Sequence, residues 1–169
     1  MQPDNKFDLI VVGAGHSGIE AALAAAKRGL KVALFTIKIE AIGRMSCNPS
    51  IGGPAKGHLA REIDALGGEI AKSADLSGIH FRMLNRSKGP AVWAPRSQND
   101  RQKYHLLMRE AVEKQENIHL IEATIAEIIV ENGCVKGVIS QIGQCYYAPI
   151  VILATGTFLQ GKIHIGKIS

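Results

Sequence analysis

Cysteine and aromatic residues are scarce in this sequence, and it has no long apolar run. The three cysteines, Cys47, Cys134 and Cys145, form no C-x-x-C pair, which argues against a disulfide framework or a zinc site and favours a reducing compartment. No apolar run is long enough to cross a bilayer, and the polar residues 1–6 lead directly into an apolar stretch, so we expect neither a membrane span nor a signal peptide. These absences predict a cytoplasmic protein with no membrane partner and no bound metal.

The composition is that of an ordinary globular protein. Of the 169 residues, 46% are hydrophobic and 21% are charged, which is enough apolar sequence to bury the core of one domain. The formal net charge of +5 is compatible with a polyanionic partner. Lysine and arginine are concentrated between Lys56 and Arg109, mostly in predicted loops, and this clustering is a stronger indication of nucleic acid than the total charge.

The stretch from Phe7 to Arg28 carries the strongest pattern in the chain. Its apolar run Leu9–Val12 predicts a buried strand, and an alanine-rich helix is expected over residues 19–27, stopping before Gly29. A second strand is predicted over residues 31–35. Between the first strand and the helix stand three glycines with G-x-G-x-x-G spacing: Gly13, Gly15 and Gly18. Strand, glycine turn, helix and strand together are typical of a dinucleotide-binding unit.

Each of these glycines has a distinct mechanical role in such a unit. Gly13 permits the tight turn, Gly15 lets the backbone approach a pyrophosphate, and Gly18 allows the helix to pack closely on the strand. The free N–H groups at the helix start face the phosphates. The alternative is a tight turn with no ligand. Thr36 stands where an acidic residue usually binds the adenosine ribose, and Glu40 is the first carboxylate after it.

The middle of the chain is expected to be a helix and loop excursion around residues 41–100. A loop over residues 41–53 precedes a helix over residues 55–66, with Pro54 in its first turn. A short strand over residues 79–84 and a glycine- and proline-broken stretch over residues 85–101 follow. An amphipathic helix over residues 102–114 then carries Leu106, Leu107 and Val112 on its apolar side.

The last third of the chain is rich in predicted strands. A parallel strand is expected over residues 118–121, and a hairpin over residues 125–142 turns at Asn132-Gly133. A third strand over residues 144–148 and a buried strand over residues 150–154 complete the order. We therefore predict an α/β, Rossmann-like FAD/NAD(P)-binding domain of the glutathione-reductase-like kind, in which a parallel sheet contains a β-meander crossover.

Five segments resemble the MnmG (GidA) family of bacterial and mitochondrial tRNA uridine 5-carboxymethylaminomethyl modification enzymes. They are GAGHSGIEAA from Gly13, MSCNPSIGG from Met45, KGHLAREIDALGG from Lys56, NRSKGPAV from Asn85 and ATGTFLQGKIHIG from Ala154. The first is shared with many glutathione-reductase-like flavoproteins, whereas the other four are specific. Since family members are longer, residues 1–169 resemble the amino-terminal portion of their FAD-binding domain, without the later NADH-binding and helical domains.

The resemblance implies an activity and a set of partners. The family adds a carboxymethylaminomethyl group at C5 of the wobble uridine of tRNA, with FAD as cofactor. Methylene-tetrahydrofolate is the one-carbon donor, NADH is the reductant, the GTPase MnmE is the partner, and the enzyme is a homodimer. Three alternatives remain open. They are a general FAD-dependent oxidoreductase acting on a small substrate, a non-catalytic nucleotide-binding module, and a basic RNA-binding module without a cofactor.

The resemblance also implies roles for individual residues. It assigns FAD contacts to the turn residues Gly13, Ala14, Gly15, His16, Ser17 and Gly18. It places the backbone of Ile125 at the adenine end and Gly156 near the cofactor. Cys47 matches a cysteine proposed as the nucleophile toward C6 of the uracil.

Each of these side chains also has a purely structural interpretation. Cys47 can equally be a small buried hydrophobe, and Cys134 and Cys145 are expected to pack in the core. His16 is expected to pack over the turn or to cap the helix. Trp93 can stack on a flavin or a base, or it can be a core residue. Five basic residues are either tRNA phosphate contacts or solvated loop charges: Lys56, Arg61, Lys88, Arg96 and Arg101.

Overall fold

The computed structural model describes residues 5–159, 161 and 166. Its helices are α1 (His16–Ala26), α2 (Lys56–Ala65), α3 (Ile70–Ser77) and α4 (Arg101–Lys114). The first strands along the chain are β1 (Leu9–Val12), β2 (Val32–Thr36), β3 (Ser50–Gly52), β4 (Gly78–Leu84) and β5 (Ala94–Asn99). The later strands are β6 (Ile118–Glu122), β7 (Ile125–Glu131), β8 (Cys134–Ser140), β9 (Cys145–Tyr147) and β10 (Val151–Leu153).

A parallel sheet in the order β10-β1-β2-β6 forms the centre of the fold. Its two inner strands are buried at every position because other layers cover both faces. Along β1, Leu9 and Val11 belong to a core shared with the helices, whereas Ile10 and Val12 belong to a core shared with the meander. The continuous apolar runs in the sequence are thus explained by burial on both faces.

The meander β7-β8-β9 connects β6 to β10 and covers one face of the parallel sheet. Phe35 of β2 and Tyr146 of β9 meet edge to face there, with ring centroids 4.8 Å apart. Helices α1 and α4 cover the opposite face. The Rossmann-like α/β prediction, including the β-meander crossover, is therefore confirmed.

Residues 50–99 add a separate three-stranded antiparallel sheet in the order β3-β5-β4. Asn99 fastens this sheet to α3 and is only 1% exposed. Its side-chain amide donates to Ala74 O at 2.6 Å and to Ser77 Oγ at 3.0 Å, and it accepts from Ser97 Oγ at 2.9 Å. Because every partner is buried or half-buried, this network fixes the sheet against the helix.

The structure corrects several expectations about the helices and strands. Strands β3 and β5 lie in stretches that we expected to be loop, and helix α3 lies in a stretch for which no element was predicted. Helix α2 starts after Pro54, at Lys56, because Ala55 has a φ of +63° and cannot belong to the helix. On α4 the buried residues are Tyr104, Met108 and Val112, so the prediction that Leu106 lies on the apolar side was wrong, since it is 53% exposed.

Further expectations concern strand burial and the chain ends. Cys134 is exposed rather than packed, and Cys145 is half-buried. The last predicted strand exists as β10, although Ile152 and Leu153 are partly exposed. Most of the ATGTFLQGKIHIG segment after Leu159, and residues 1–4, lie outside the described residues. In the described part of the chain, no helix combines the length and the hydropathy that crossing a membrane requires.

The contact between α1 and β1 predicts that two glycines of the turn differ in their tolerance of a side chain. A Cβ at Gly18 would lie 1.8 Å from Gly13 O, whereas a Cβ at Gly15 would meet no atom within 4 Å. We expect Gly18→Ala to lower the free energy of unfolding by about 1–3 kcal/mol, because the backbone clash outweighs the gain of up to about 1 kcal/mol in helix propensity. Gly15→Ala, the matched control, should leave stability unchanged in urea denaturation. Equal stability of the two variants would contradict this packing.

The Asn99 network predicts a large effect for a small polar substitution. Asn99→Ala should lower the free energy of unfolding by about 2–3 kcal/mol, because it leaves buried hydrogen-bonding groups on Ser77, Ser97 and Ala74 without their partner. Gln98→Ala, at the neighbouring half-buried position, should change it by less than about 0.5 kcal/mol. Chemical denaturation followed by circular dichroism measures both. A loss for Asn99→Ala no larger than that of the control would show that the network contributes little.

Candidate functional site

The glycine turn lies at the edge of the parallel sheet where all its strands end. Gly13 follows β1 directly, and its N–H donates to Phe35 O of β2 at 2.9 Å. Ala154, just after β10, donates its N–H to Val12 O at 2.8 Å. Because the four strands are parallel, their carboxyl ends meet at this single edge. Ligands of open α/β sheets bind at such an edge.

The start of α1 provides hydrogen-bond donors toward this edge. Gly15 is the N-cap and is exposed, and no side chain caps the helix. The first amide with an acceptor at the helix start is that of Ile19, which donates to Gly15 O at 2.9 Å. In the described residues, the N–H groups of His16, Ser17 and Gly18 have no acceptor, as expected for the first turn of a helix. These donors and the positive helix end suit a phosphate group.

The glycines at this edge differ in the free space beside them. A Cβ at Gly13 would lie 2.4 Å from Ala154 O, so this glycine is required by the protein's own packing. At Gly15, in contrast, a Cβ would meet nothing within 4 Å, and the same is true of Gly156. Gly156 begins a short 3-10 turn after β10 and has a φ of +58°. The open positions Gly15 and Gly156 thus flank the same edge of the sheet.

The ends of β2 and β6 form the next part of the edge. The hydroxyl of Thr36 donates to Lys38 O at 3.0 Å, so its proton is already used within the loop. Glu122, at the end of β6, accepts the N–H of Ile39 at 2.9 Å. Glu40 is exposed in the 3-10 turn of residues 39–41. In the described chain, the carboxylate of Glu40 accepts no hydrogen bond, in contrast to that of Glu122. Ile125 starts β7 three residues after the end of β6.

His16 packs beneath the turn against Tyr104 of α4. Their ring centroids are 5.6 Å apart, and neither His16 Nε2 nor the Tyr104 hydroxyl has a hydrogen-bond partner among the described residues. Burial lowers the pKa of His16, so its ring is neutral at pH 7. Burial, with the nearby carboxylates of Glu20 and Glu69, raises the pKa of Tyr104. The packing interpretation of His16 is supported, whereas the capping interpretation is wrong because no side chain caps α1.

Cys47 lies in a segment that connects the glycine turn to the antiparallel sheet. Gly43 donates its N–H to Ala14 O at 3.0 Å, and Ile42 O contacts Nδ1 of His105 at 2.7 Å. At the other end, Arg101 Nη2 donates to Cys47 O at 2.6 Å. The Cys47 side chain is exposed, so the interpretation of this residue as a buried hydrophobe is wrong. Its thiol is thus accessible to a large substrate.

The remaining candidate residues differ in their contacts and exposure. Arg101 holds the Cys47 carbonyl, and Arg96 Nη2 donates to Ser50 Oγ at 3.2 Å. Lys56, Arg61 and Lys88 are exposed. Trp93 is 42% exposed, so it is not a core residue.

Sequence reasoning missed Tyr104 and Glu20. Tyr104 is recognisable from its i, i+4, i+8 spacing with Met108 and Val112, which marks the buried side of α4. Glu20 accepts the N–H groups of Glu69 and Ile70 at 2.8 Å and 2.7 Å and so ties α1 to the start of α3. No local pattern indicates that contact, because 49 residues separate its partners.

Comparison with known proteins extends these observations. The family model "Glucose inhibited division protein A" matches residues 8–169. A protein of Thermodesulfovibrio yellowstonii called tRNA uridine 5-carboxymethylaminomethyl modification enzyme MnmG is 60% identical over 98% of this chain and 27% of its own length. The protein of the same name from Geobacter metallireducens is 55% identical over 96% of this chain and 26% of its length. The chain thus spans about a quarter of the length of these relatives.

Solved structures give the same result. The Aquifex aeolicus GidA structure in the form II crystal superposes with a TM-score of 0.88 and 48% identity, covering 93% of this chain and 26% of that one. A GidA-related protein of Thermus thermophilus shares the fold at 22% identity and a TM-score of 0.63, covering 90% of this chain and 54% of that one. The resemblance based on the five sequence segments is therefore confirmed, and the chain belongs to the GidA (MnmG) family.

Proposed function

We propose that the edge of the parallel sheet binds FAD. The observation that carries this proposal is the glycine turn, where three helix N–H groups lack a partner in the described chain and Gly15 leaves the space beside them open. A pyrophosphate matches both features, since it supplies acceptors for the amides and negative charge for the helix end. The donor set therefore fits the dinucleotide part of FAD. The flavin supplies redox chemistry that amino-acid side chains lack.

The residues around the turn divide the task of holding this cofactor. The backbones of Gly13, Ala14 and Gly15 allow close approach, and the N–H groups of His16, Ser17 and Gly18 hold the phosphates. Glu40 is the carboxylate that remains for the ribose, because Glu122 is engaged with Ile39. The backbone of Ile125 would hold the adenine end. Gly156, which is open and lies at the same edge, would leave room for the cofactor.

The activity that we propose is modification of the wobble uridine of tRNA at C5. The chain would act as the cofactor-binding part of an enzyme that adds a carboxymethylaminomethyl group. The support is the family membership, together with the name shared by the Thermodesulfovibrio and Geobacter relatives. Methylene-tetrahydrofolate, NADH, the GTPase partner MnmE, a homodimer and a cytoplasmic location belong to this proposal. A general FAD-dependent oxidoreductase would need neither RNA nor an exposed cysteine beside its cofactor edge.

Cys47 is the residue that we propose acts on the base. Its exposed thiol lies in a segment that is anchored to the glycine turn at Gly43 and to α4 at Arg101. As a thiolate, Sγ adds to C6 of the uracil, and the electron pair of the C5–C6 bond moves to C5, which becomes nucleophilic. Addition at C6 thus prepares C5 for the carbon that is transferred. Loss of the C5 proton to water or a base then expels Sγ from C6, which restores the C5–C6 double bond and frees Cys47 as a thiolate.

Binding of FAD depends on the open side of Gly15. Gly15→Val should weaken FAD binding at least tenfold, because a branched side chain fills the space beside the free N–H groups and a loss of about 1.4 kcal/mol is tenfold. Titration of the purified chain followed by flavin absorbance gives the dissociation constant. Ala24→Val, at an exposed position of α1, is the control and should bind FAD normally. Unchanged FAD binding by Gly15→Val, with circular dichroism unchanged, would overturn the assignment of this turn.

The position of Cys47 predicts selective protection by RNA. Cys47 and Cys134 are both exposed, so iodoacetamide should alkylate both in the free chain. An RNA hairpin with uridine at the wobble position should slow alkylation of Cys47 several-fold and leave Cys134, the internal control, unchanged. Peptide mass spectrometry reports the two rates separately. Equal protection of both cysteines, or protection of neither, would contradict a substrate-facing Cys47.

A further inference from the structure

The Cys47 segment, which we define as residues 42–49, is fixed to the rest of the protein on both sides of the thiol. Ile42 and Met45 are buried, with 0% and 4% exposure, so the part before Cys47 is packed in the core. After Cys47, the carbonyl oxygen of Pro49 accepts the N–H of Asn99 at 2.7 Å. Cys47 itself is exposed. The thiol is therefore held at a fixed place on the surface, where neighbouring side chains can act together with it.

Arg101 is a charged side chain that contacts Cys47 directly. Its Nη2 donates to the Cys47 carbonyl oxygen at 2.6 Å, and 54 positions separate the two residues in the sequence. A carbonyl oxygen and the Sγ atom of the same cysteine are no more than about 4.5 Å apart, so this guanidinium nitrogen lies within about 7 Å of the sulfur. The folded structure thus places a cation close to the thiol.

The positive charge of Arg101 is not neutralised within the described residues. Its guanidinium forms no ion pair there, and the bond to the Cys47 carbonyl uses one of the five N–H donors of an arginine. The carboxylate of the preceding residue, Asp100, accepts the N–H of Lys103 at 2.9 Å instead. Arg101 also occupies the first position of α4, where the positive end of a helix opposes a cation. An exposed cation with free donors therefore remains beside the thiol.

The proposed reaction of Cys47 creates negative charge near this cation. When Sγ adds to C6 of a uracil, the electron pair of the C5–C6 double bond moves to C5 and is shared with the carbonyl oxygen O4, which becomes an enolate oxygen. Hydrogen-bond donors that point to the place where such charge develops lower the barrier, and charged donors form the stronger bonds. A ring bonded to Sγ at C6 brings O4 into the region beside the sulfur where Arg101 lies.

We propose that Arg101 is a catalytic residue that donates a hydrogen bond to O4 of the uracil while Cys47 is bonded to C6. As the Sγ–C6 bond forms, the charge of the thiolate passes to the enolate, and Arg101 stabilises that charge without giving up a proton. The charge returns to Sγ when C5 loses its proton and the C5–C6 double bond is restored. This role rests on the proposed function of Cys47. It differs from a phosphate contact, which would act on RNA binding rather than on the addition step.

The first test measures the charge beside the thiol in the absence of RNA. Iodoacetate and iodoacetamide alkylate the same thiol, but only iodoacetate is an anion. The ratio of their rates at Cys47 should fall about threefold at low salt in Arg101→Gln, because a unit charge about 7 Å away in water is worth about that factor. Arg101→Lys keeps the charge and should keep the ratio. An unchanged ratio in Arg101→Gln, or an equal fall in Arg101→Lys, would overturn the proposal.

Two controls make this result specific to Arg101. Cys134 lies opposite Glu131 in the hairpin, so its ratio of rates should not respond to the residue at position 101. Arg28→Gln removes one exposed charge just after α1, at the end of this helix away from the glycine turn, and should leave the ratio at Cys47 unchanged. A fall of equal size in Arg28→Gln would show that net charge alone controls the rates, and the role of Arg101 would be wrong.

The second test follows the addition step itself. In D2O, addition of Cys47 to C6 lets C5 take up a deuteron, and loss of the original C5 proton with expulsion of Sγ returns uridine labelled at C5. Mass spectrometry measures this exchange in an RNA hairpin with uridine at the wobble position, and no cofactor or co-substrate is needed. Arg101→Gln should slow the exchange at saturation by at least about tenfold, as expected for loss of an oxyanion donor. Arg101→Lys should recover part of the rate, because its ammonium also donates to O4.

The same samples separate the role of Arg101 from that of Cys47. Exchange that requires Cys47 but is unchanged in Arg101→Gln would overturn the role of Arg101 alone. Weaker hairpin binding by Arg101→Gln, with an unchanged exchange rate at saturation, would identify a phosphate contact and would also overturn it. Exchange that persists in Cys47→Ser, or no exchange in the parent chain, would overturn the proposed nucleophile and with it the role of Arg101.

Discussion

The close contact between the first turn of α1 and the backbone after β1 and β10 is the constraint on which the rest of the structure depends. Gly18 rests against Gly13 O, and Gly13 rests against Ala154 O, with no room for a Cβ at either position. This three-way contact aims the start of α1 at the carboxyl edge of the sheet. It also brings together two parts of the chain that are 136 residues apart in sequence, as counted from Gly18 to Ala154. A dinucleotide edge exists only because these backbones touch.

The two sheets differ in which of their surfaces are buried. The parallel sheet is buried on both faces, so its chemistry is confined to the edge where its strands end. The antiparallel sheet packs one face against α2 and α3, and Arg82 and Arg96 are cross-strand partners on its other face. The segment from Ile42 to Pro49 joins the two, through Gly43 at the glycine turn and Pro49 O at Asn99. Cys47 therefore lies in the segment that connects the glycine turn to the antiparallel sheet.

Side-chain hydrogen bonds fix the position of the glycine turn relative to the antiparallel sheet. Glu20 ties α1 to α3, and Asn99 ties α3 to β5, so the glycine turn and the antiparallel sheet are linked through one short helix. Beneath the turn, His16 and Tyr104 pack with ring nitrogen and hydroxyl unpaired in the described chain. Burial keeps both groups neutral, because a charge on either would lack solvation there. The turn thus rests on a neutral aromatic pair.

The sequence alone determined the features that depend on local periodicity and on special residues. Apolar runs, glycines and amphipathic spacing predicted strand β1, the glycine turn, the hairpin at Asn132-Gly133 and helices α1 and α4. The residues of five segments indicated the family. Helix α3 and strands β3 and β5 were not predicted. Such short elements, with polar residues among the apolar ones, are stabilised by contacts to distant residues rather than by a sequence pattern of their own. Only the tertiary structure decided that Cys47 is exposed, that Tyr104 rather than Leu106 is buried, and that Arg82 faces Arg96. Those outcomes depend on which helices and strands pack against each other. That packing is determined by residues far apart in sequence, not by neighbours in the chain.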